Sequence, residues 1–130
     1  RFKYADMEDV FARAEQTGEE PFIIILDEVE DPHNLGAIIR KAECAGAHGI
    51  IIPKRRSASL TPTVALFAAR AIENMPVVQV TNLARTIEEL QDRNVNDWGK
   101  IRQALRENLS SYIWQRTKRR PMILPVIMEV

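Results

Sequence analysis

The stretch best placed to do chemistry is Asp31-Pro-His-Asn-Leu-Gly36, followed by Arg40. Asn34 and Gly36 stand where a polar loop gives way to an apolar, helix-periodic segment, and Asn34 is a good N-cap. The first-turn amides of such a helix make an anion site. Arg40 follows Asn34 by about 1.7 helical turns, and its long side chain can reach back toward a phosphate or ribose. An Asx-type cap beside an ordinary surface arginine gives the same pattern. Spacing alone leaves both readings open.

A second candidate is Lys54-Arg55-Arg56, with Ser57 and Ser59 close behind. Three adjacent cations can neutralise phosphates and would give salt-dependent RNA or DNA binding, although a solvated charge run looks the same. The same choice applies to Arg116 and Lys118-Arg119-Arg120. Asp27, Glu28, Glu30 and Asp31 read as a magnesium site or as a solvated turn beside a helix start. His33 is an acid–base candidate with no identifiable partner in the sequence. Cys44 falls mid-helix and is expected to be a small buried apolar residue. With one cysteine and two histidines, a Cys-pair zinc site, an intramolecular disulfide and a His-rich metal centre are all excluded, so no metal is expected.

The elements that must position these residues alternate. Asp6 to Gln16 reads as a helix stopped by Gly18, and Phe22 to Leu26 as a parallel strand covered on both faces. A helix from Leu35 to Ala47, capped by Asn34, leads to a second strand, Gly49 to Ile52, closed by Pro53. Thr61 caps a helix that starts at Pro62 and runs to about Asn74. Val77 to Val80 is a third strand, and Asn82 caps a helix from Leu83 to about Arg93. This order predicts an α/β domain, a parallel sheet with flanking helices and right-handed crossovers, with any site at the carboxyl ends of the strands. The rhythm breaks near residue 95. A long helix from Asp97, with Trp98 and Tyr112 on its apolar stripe, then precedes a terminal strand from Met122 to about Met128. Pro125 argues that this strand lies at an edge.

The 130 residues are 45% hydrophobic and 28% charged, which suits one domain and excludes a disordered chain. The longest apolar runs fall far short of the ~20 residues of a membrane span, so no membrane partner and a cytoplasmic location are expected. The chain opens on Arg1 with no signal peptide, which points to a fragment or a processed product. Eighteen basic residues balance eighteen acidic ones overall. Residues 1–95 nevertheless carry a net −4, from 11 basic and 15 acidic residues, and residues 96–130 a net +4, from 7 and 3.

The stretch from Leu26 to Pro53 closely resembles the first motif of the SpoU (TrmH-type) RNA ribose 2′-O-methyltransferases. The residues that carry the resemblance are Asp31-Pro-x-Asn-x-Gly, then Arg40, Ala42, Gly46 and Gly49. It covers residues 1–95 and is nearest to the bacterial 23S rRNA guanosine 2′-O-methyltransferases. It implies an α/β knot, S-adenosylmethionine as methyl donor, rRNA or tRNA as substrate, and a homodimer. Asn34 would shape the active-site loop. Arg40 would engage the target nucleotide and assist deprotonation of its 2′-hydroxyl, with Lys54, Arg55 and Arg56 on the RNA. Residues of the donor site are not identified, because the family's second and third motifs are missing. Where the family has a serine and a glycine, this chain has Ala68 and Arg70, and Arg70 would block a close backbone approach.

Residues 96–130 resemble instead the C-terminal tail of ribonuclease J, a helix and strand used in assembly. The expected organisation is therefore a partial methyltransferase domain, 1–95, joined near Asn94-Val95 to a helix–strand segment, 96–130. The alternatives are a non-catalytic RNA-binding remnant or a composite chain with an assembly tail.

Overall fold

A run such as Phe22 to Leu26, with no polar residue, is stable only in a strand that is covered on both sides. The computed structural model describes residues 2–19, 21–27, 29–92 and 122–127. The elements in chain order are α1 (Met7–Thr17), β1 (Phe22–Asp27), α2 (Pro32–Ala45), β2 (Gly49–Pro53), α3 (Pro62–Ala68), α4 (Ala71–Asn74), β3 (Val77–Val80), α5 (Leu83–Asp92) and β4 (Met122–Ile127). All strand pairs are parallel, and the order across the sheet is β3-β2-β1-β4. This is the expected parallel sheet with flanking helices. Pro125 lies in β4, opposite Ile25, and β4 is an edge strand of the sheet that the described residues form, a position that tolerates proline.

The two-residue strand period sorts the core into two layers. Phe22, Ile24, Leu26, Ile50, Ile52 and Val77 meet Leu35, Ile38, Ile39 and Ala42 of α2 and Val64 and Ala68 of α3. Ile23, Ile25, Ile51 and Val78 meet Val10 of α1 and Leu90 of α5 on the other face. Fully burying one such isoleucine contributes roughly 1.5–3 kcal/mol, so the β1 and β2 runs anchor the fold. At Gly49 a Cβ would come within 2.5 Å of a Val10 methyl, which explains the glycine where α1 crosses β2.

Strand order reverses at β1. The chain steps outward from β1 through β2 to β3, and β4 then lies on the other side of β1. A doubly wound sheet opens its ligand crevice at such a switch point, beyond the carboxyl ends of the strands. Asp27 of β1 and Ile127 of β4 are register partners there.

Three expectations are corrected. The helix start is capped by Asp31, not Asn34: Asp31 is extended (φ −81°, ψ 120°) and its carboxylate accepts the His33 amide at 2.8 Å. Pro32 at the first helical position has its φ already set for a helix, so the boundary moves back three residues. The far end of α2 comes at Gly46, whose left-handed φ of 83° closes the helix before Ala47. The third helix does not run unbroken to Asn74. It splits at Ala69, with φ 53° and ψ −136°, into α3 and α4. Arg70 itself is exposed, with an ordinary φ of −72°. The long helix expected from Asp97, with Trp98 and Tyr112, and the cluster Arg116 to Arg120 lie outside the described residues.

An alanine in Ala69's conformation costs about 1–3 kcal/mol in strain, against the 0.4–1 kcal/mol that glycine loses through a freer unfolded chain. Ala69→Gly is therefore expected to stabilise the fold by about 1 kcal/mol. A thermal unfolding midpoint that stays level or falls would show that α3 and α4 are not broken there.

The amino ends of the strands hold the chain's buried histidine. His48 is 1% exposed. Its Nδ1 accepts the Phe22 amide at 2.9 Å, while Nε2 faces Thr17 Oγ1 at 3.1 Å and Glu19 Oε1 at 3.3 Å. An Nδ1 that accepts is an unprotonated one, so Nε2 carries the proton and the ring is neutral. Burial, reinforced by the positive charge of Arg13, lowers the pKa below the usual 6.5. The Glu19 contact pulls the other way, but it is part-exposed and weaker than the loss of hydration. Since the unfolded chain takes up this proton more readily, the contribution is fully present above pH 6.5 and fades as pH falls toward the lowered value. His48→Asn keeps an acceptor for the Phe22 amide and removes the titration. Its unfolding midpoint is expected to lose less than the parent's between pH 7.5 and 5.5; equal losses would assign the acid sensitivity elsewhere.

Candidate nucleic-acid interface

Local sequence places the interface at the start and along the outer side of α2. Leu35, Ile38, Ile39 and Ala42 face the sheet, which leaves His33, Ala37, Arg40, Lys41 and Cys44 on the other side of the helix. Gly36 brings α3 close. A Cβ there would lie 2.7 Å from Phe67 Cβ, 2.7 Å from the Val64 carbonyl oxygen and 3.0 Å from the Ala68 nitrogen. The two helices thus approach almost backbone to backbone, and Phe67 projects beside α2. Its ring stacks on the His33 imidazole with centroids 4.2 Å apart and planes tilted by 35°.

A groove of about 570 Å³ runs along this seam, lined by Ala37, Arg40, Lys41, Cys44, Ala45 and Phe67. Arg40 is exposed and lies about 12 Å along the axis from the first residue of α2. It is outside the core and available to solvent. Asn34 sits in the first turn, half-buried, one turn above Ala37.

Lys54, Arg55 and Arg56 are all exposed on the loop after β2. The loop is well tied. The Lys54 amide donates to the Val80 carbonyl at 2.9 Å, Ala58 to the Val29 carbonyl at 2.8 Å, and Leu60 to the Tyr4 hydroxyl at 3.0 Å. Arg56 takes a left-handed φ of 55° at the turn. The basic loop therefore stands at the carboxyl ends of the strands, as expected. It does not share the groove with Arg40, since none of Asn34, Lys54, Arg55 and Arg56 lines it.

Two of the first-turn positions offer no free amide to an anion. Pro32 has no amide hydrogen, and the His33 amide is taken by Asp31, which also puts a carboxylate where an anion would bind. Cys44 is exposed rather than buried, because it falls off the stripe that carries Ala42 toward the sheet. Among the described residues, no group of three or more His, Cys, Asp or Glu side chains could hold a metal ion. No helix among them is long and apolar enough to cross a membrane.

Phe67 was not legible as a site residue from spacing. A signal existed: Val64, Ala65, Ala68 and Ala71 form the helix stripe, and Leu66 and Phe67 are two large apolar residues off it. Leu66 is 74% exposed and Phe67 40%.

Comparison with known proteins bears on this arrangement. YacO of Bacillus subtilis (strain 168), assigned to the TrmH family of tRNA/rRNA methyltransferases, is 55% identical over 94 residues, which are 72% of this chain and 38% of that protein. A protein of Staphylococcus aureus (strain MSSA476) assigned to the same family is 50% identical over 91 residues, 70% of this chain and 37% of its own length. The chain thus spans less than half of these relatives. Among solved structures, the SpoU methyltransferase AviRb of Streptomyces viridochromogenes, crystallised with the cofactor AdoMet, matches 98% of this chain and 46% of its own, with a TM-score of 0.67 at 18% identity. The TrmH/SpoU tRNA modifying enzyme of A. aeolicus matches 93% of this chain and 62% of its own, with a TM-score of 0.56 at 17% identity. These likenesses show the fold. The model of the SpoU rRNA Methylase family matches residues 21–123, past the junction expected near residue 95. Over most of its length the chain is therefore a member of the SpoU rRNA Methylase family.

Proposed function

We propose that this chain carries the RNA-facing part of an RNA ribose 2′-O-methyltransferase that acts on rRNA or tRNA, with Arg40 at the target ribose and Lys54, Arg55 and Arg56 on the phosphate backbone. The observation that supports this best is the position of Arg40: an exposed residue lining a groove, on a helix within the residues that match the family and resemble its first motif. A ribose hydroxyl is a weak nucleophile. A fixed cation beside it stabilises the alkoxide that develops as its proton leaves for water. Guanidinium suits this task because it keeps its charge and offers a planar set of donors to the 2′-oxygen and the adjacent phosphate. It cannot accept the proton itself. Asn34, in the first turn of α2, would shape the same loop.

S-adenosylmethionine is the methyl donor in this reading, and when bound it supplies an electrophilic methyl group. Asp27 and Ile127 are the last register partners of β1 and β4, and the described residues do not define a donor site. A homodimer, a cytoplasmic location and a guanosine of 23S rRNA as the target belong to the same reading. So does the division into a methyltransferase part, 1–95, and a ribonuclease J-like tail, 96–130. In that case the tail contributes β4, the strand beside β1.

The test is to incubate the 130-residue chain with labelled S-adenosylmethionine and total rRNA and tRNA, and to map label to a 2′-oxygen. Label on a ribose 2′-oxygen together with donor binding by calorimetry supports the enzyme reading for a chain that lacks the family's second and third motifs. RNA binding without donor binding would reduce the chain to an RNA-binding remnant. Amplification of the locus across Asn94-Val95 checks the two-part origin; an uninterrupted methyltransferase frame would remove the ribonuclease J assignment.

A further inference from the structure

We infer that the groove between α2 and α3 takes an unpaired base of the RNA strand, stacked on the face of Phe67, with Arg40 and Lys41 on the flanking phosphates. This rests on the RNA-substrate reading above and adds to it a residue and a contact. Phe67 offers a part-exposed ring, held from one side by the His33 imidazole at 4.2 Å. A ring so held loses little freedom when a second ring stacks on it. The groove floor is apolar, from Ala37, Cys44 and Ala45, while the charged lining residues are the cations Arg40 and Lys41. None of the lining residues is acidic. Its volume, about 570 Å³, lies in the range of nucleotide-sized ligand sites.

An apolar floor with a cationic rim and an aromatic wall is the combination that single-stranded nucleic acid uses. Bases stack on the ring and phosphates meet the cations. Charge decides against a second copy of this chain as the occupant. A two-fold contact through the groove would bring Arg40 toward its own copy, and none of the lining residues is a carboxylate that could meet it.

Cys44, the chain's only cysteine, lines the groove and is exposed, so it reports occupancy directly. The probe is an unstructured RNA twelve-mer carrying one 2-aminopurine, read by anisotropy and by the quenching that accompanies stacking. Phe67→Ala is expected to weaken binding roughly 10- to 100-fold and to abolish the quenching, as loss of one stacked base does. The Cβ that packs on Gly36 is kept, so the helix seam is preserved. Phe67→Trp is expected to restore both signals. Saturating RNA is expected to slow alkylation of Cys44 by iodoacetamide.

Unchanged affinity and quenching in Phe67→Ala, or a Cys44 rate indifferent to RNA, would overturn the inference. So would Cys44 protection that rises with protein concentration in the absence of RNA, because a second copy would then fill the groove. The two readings fail separately. Quenching and Cys44 protection without methyl transfer would sink the enzyme while leaving the groove; methyl transfer with no effect of Phe67→Ala would do the reverse.

Discussion

Gly36→Ala is expected to destabilise the protein by about 1–3 kcal/mol, a large part of the 5–15 kcal/mol that holds an ordinary domain together. Two effects compete. Alanine is favoured over glycine inside a helix by about 0.8–1 kcal/mol. Against this, the added methyl lands 2.7 Å from the Val64 carbonyl and 3.0 Å from the Ala68 nitrogen, and backbone atoms cannot rotate aside as a side chain can. The clash wins because α2 and α3 must separate along their whole seam, and with them Leu35, Ile38, Val64 and Ala68, all buried at 0% exposure. Urea unfolding measures the cost. A midpoint equal to or above the parent's would mean that the helices are not in the close contact described. The same separation would move Phe67 away from α2, so RNA affinity should fall along with stability.

Arg40→Ala is expected to lower methyl transfer by about 10²–10³-fold, the usual loss when one group that stabilises developing negative charge is removed. Stability should change by no more than about 0.5 kcal/mol, since Arg40 is exposed and outside the core. The pairing of a large kinetic effect with a small structural one is the informative part. Arg40→Lys retains the charge without the planar donor set, and should recover only part of the rate. Initial rates with labelled S-adenosylmethionine on rRNA and tRNA check this series. A parent-like rate in Arg40→Ala would remove Arg40 from the reaction, and an equal fall in stability would make its role structural. Exposed cations on the Lys54–Arg56 loop act differently. Their replacement should weaken RNA binding uniformly and flatten its salt dependence.

Periodicity and cap chemistry made the alternation of strands and helices legible. Phe22 to Leu26 had to be a buried strand, Thr61-Pro62 had to open a helix, and Asn82 caps α5 through its side chain to the Arg85 amide at 3.0 Å. These are local effects, set within four residues by sterics and hydrogen bonding. The start of α2, placed by the same rules at Asn34 instead of Asp31, had a competing cap three residues earlier next to a proline, and the proline decided it. Pro125 likewise marked an edge strand before its neighbours were known.

What the linear pattern could not contain is the meeting of distant segments. The Phe67 ring reaches His33 only because Gly36 lets α3 settle against α2. The exposure of Cys44 follows from which face of α2 packs on the sheet, and Arg40, two turns of helix beyond Pro32, lines a groove that the basic loop does not. His48 became a buried neutral base through Phe22, Thr17 and Glu19, which come from other parts of the chain. Residue types and near-neighbour spacing determined the elements and the candidate chemistry. Packing, which depends on contacts between residues tens of positions apart, decided which of those side chains share a site.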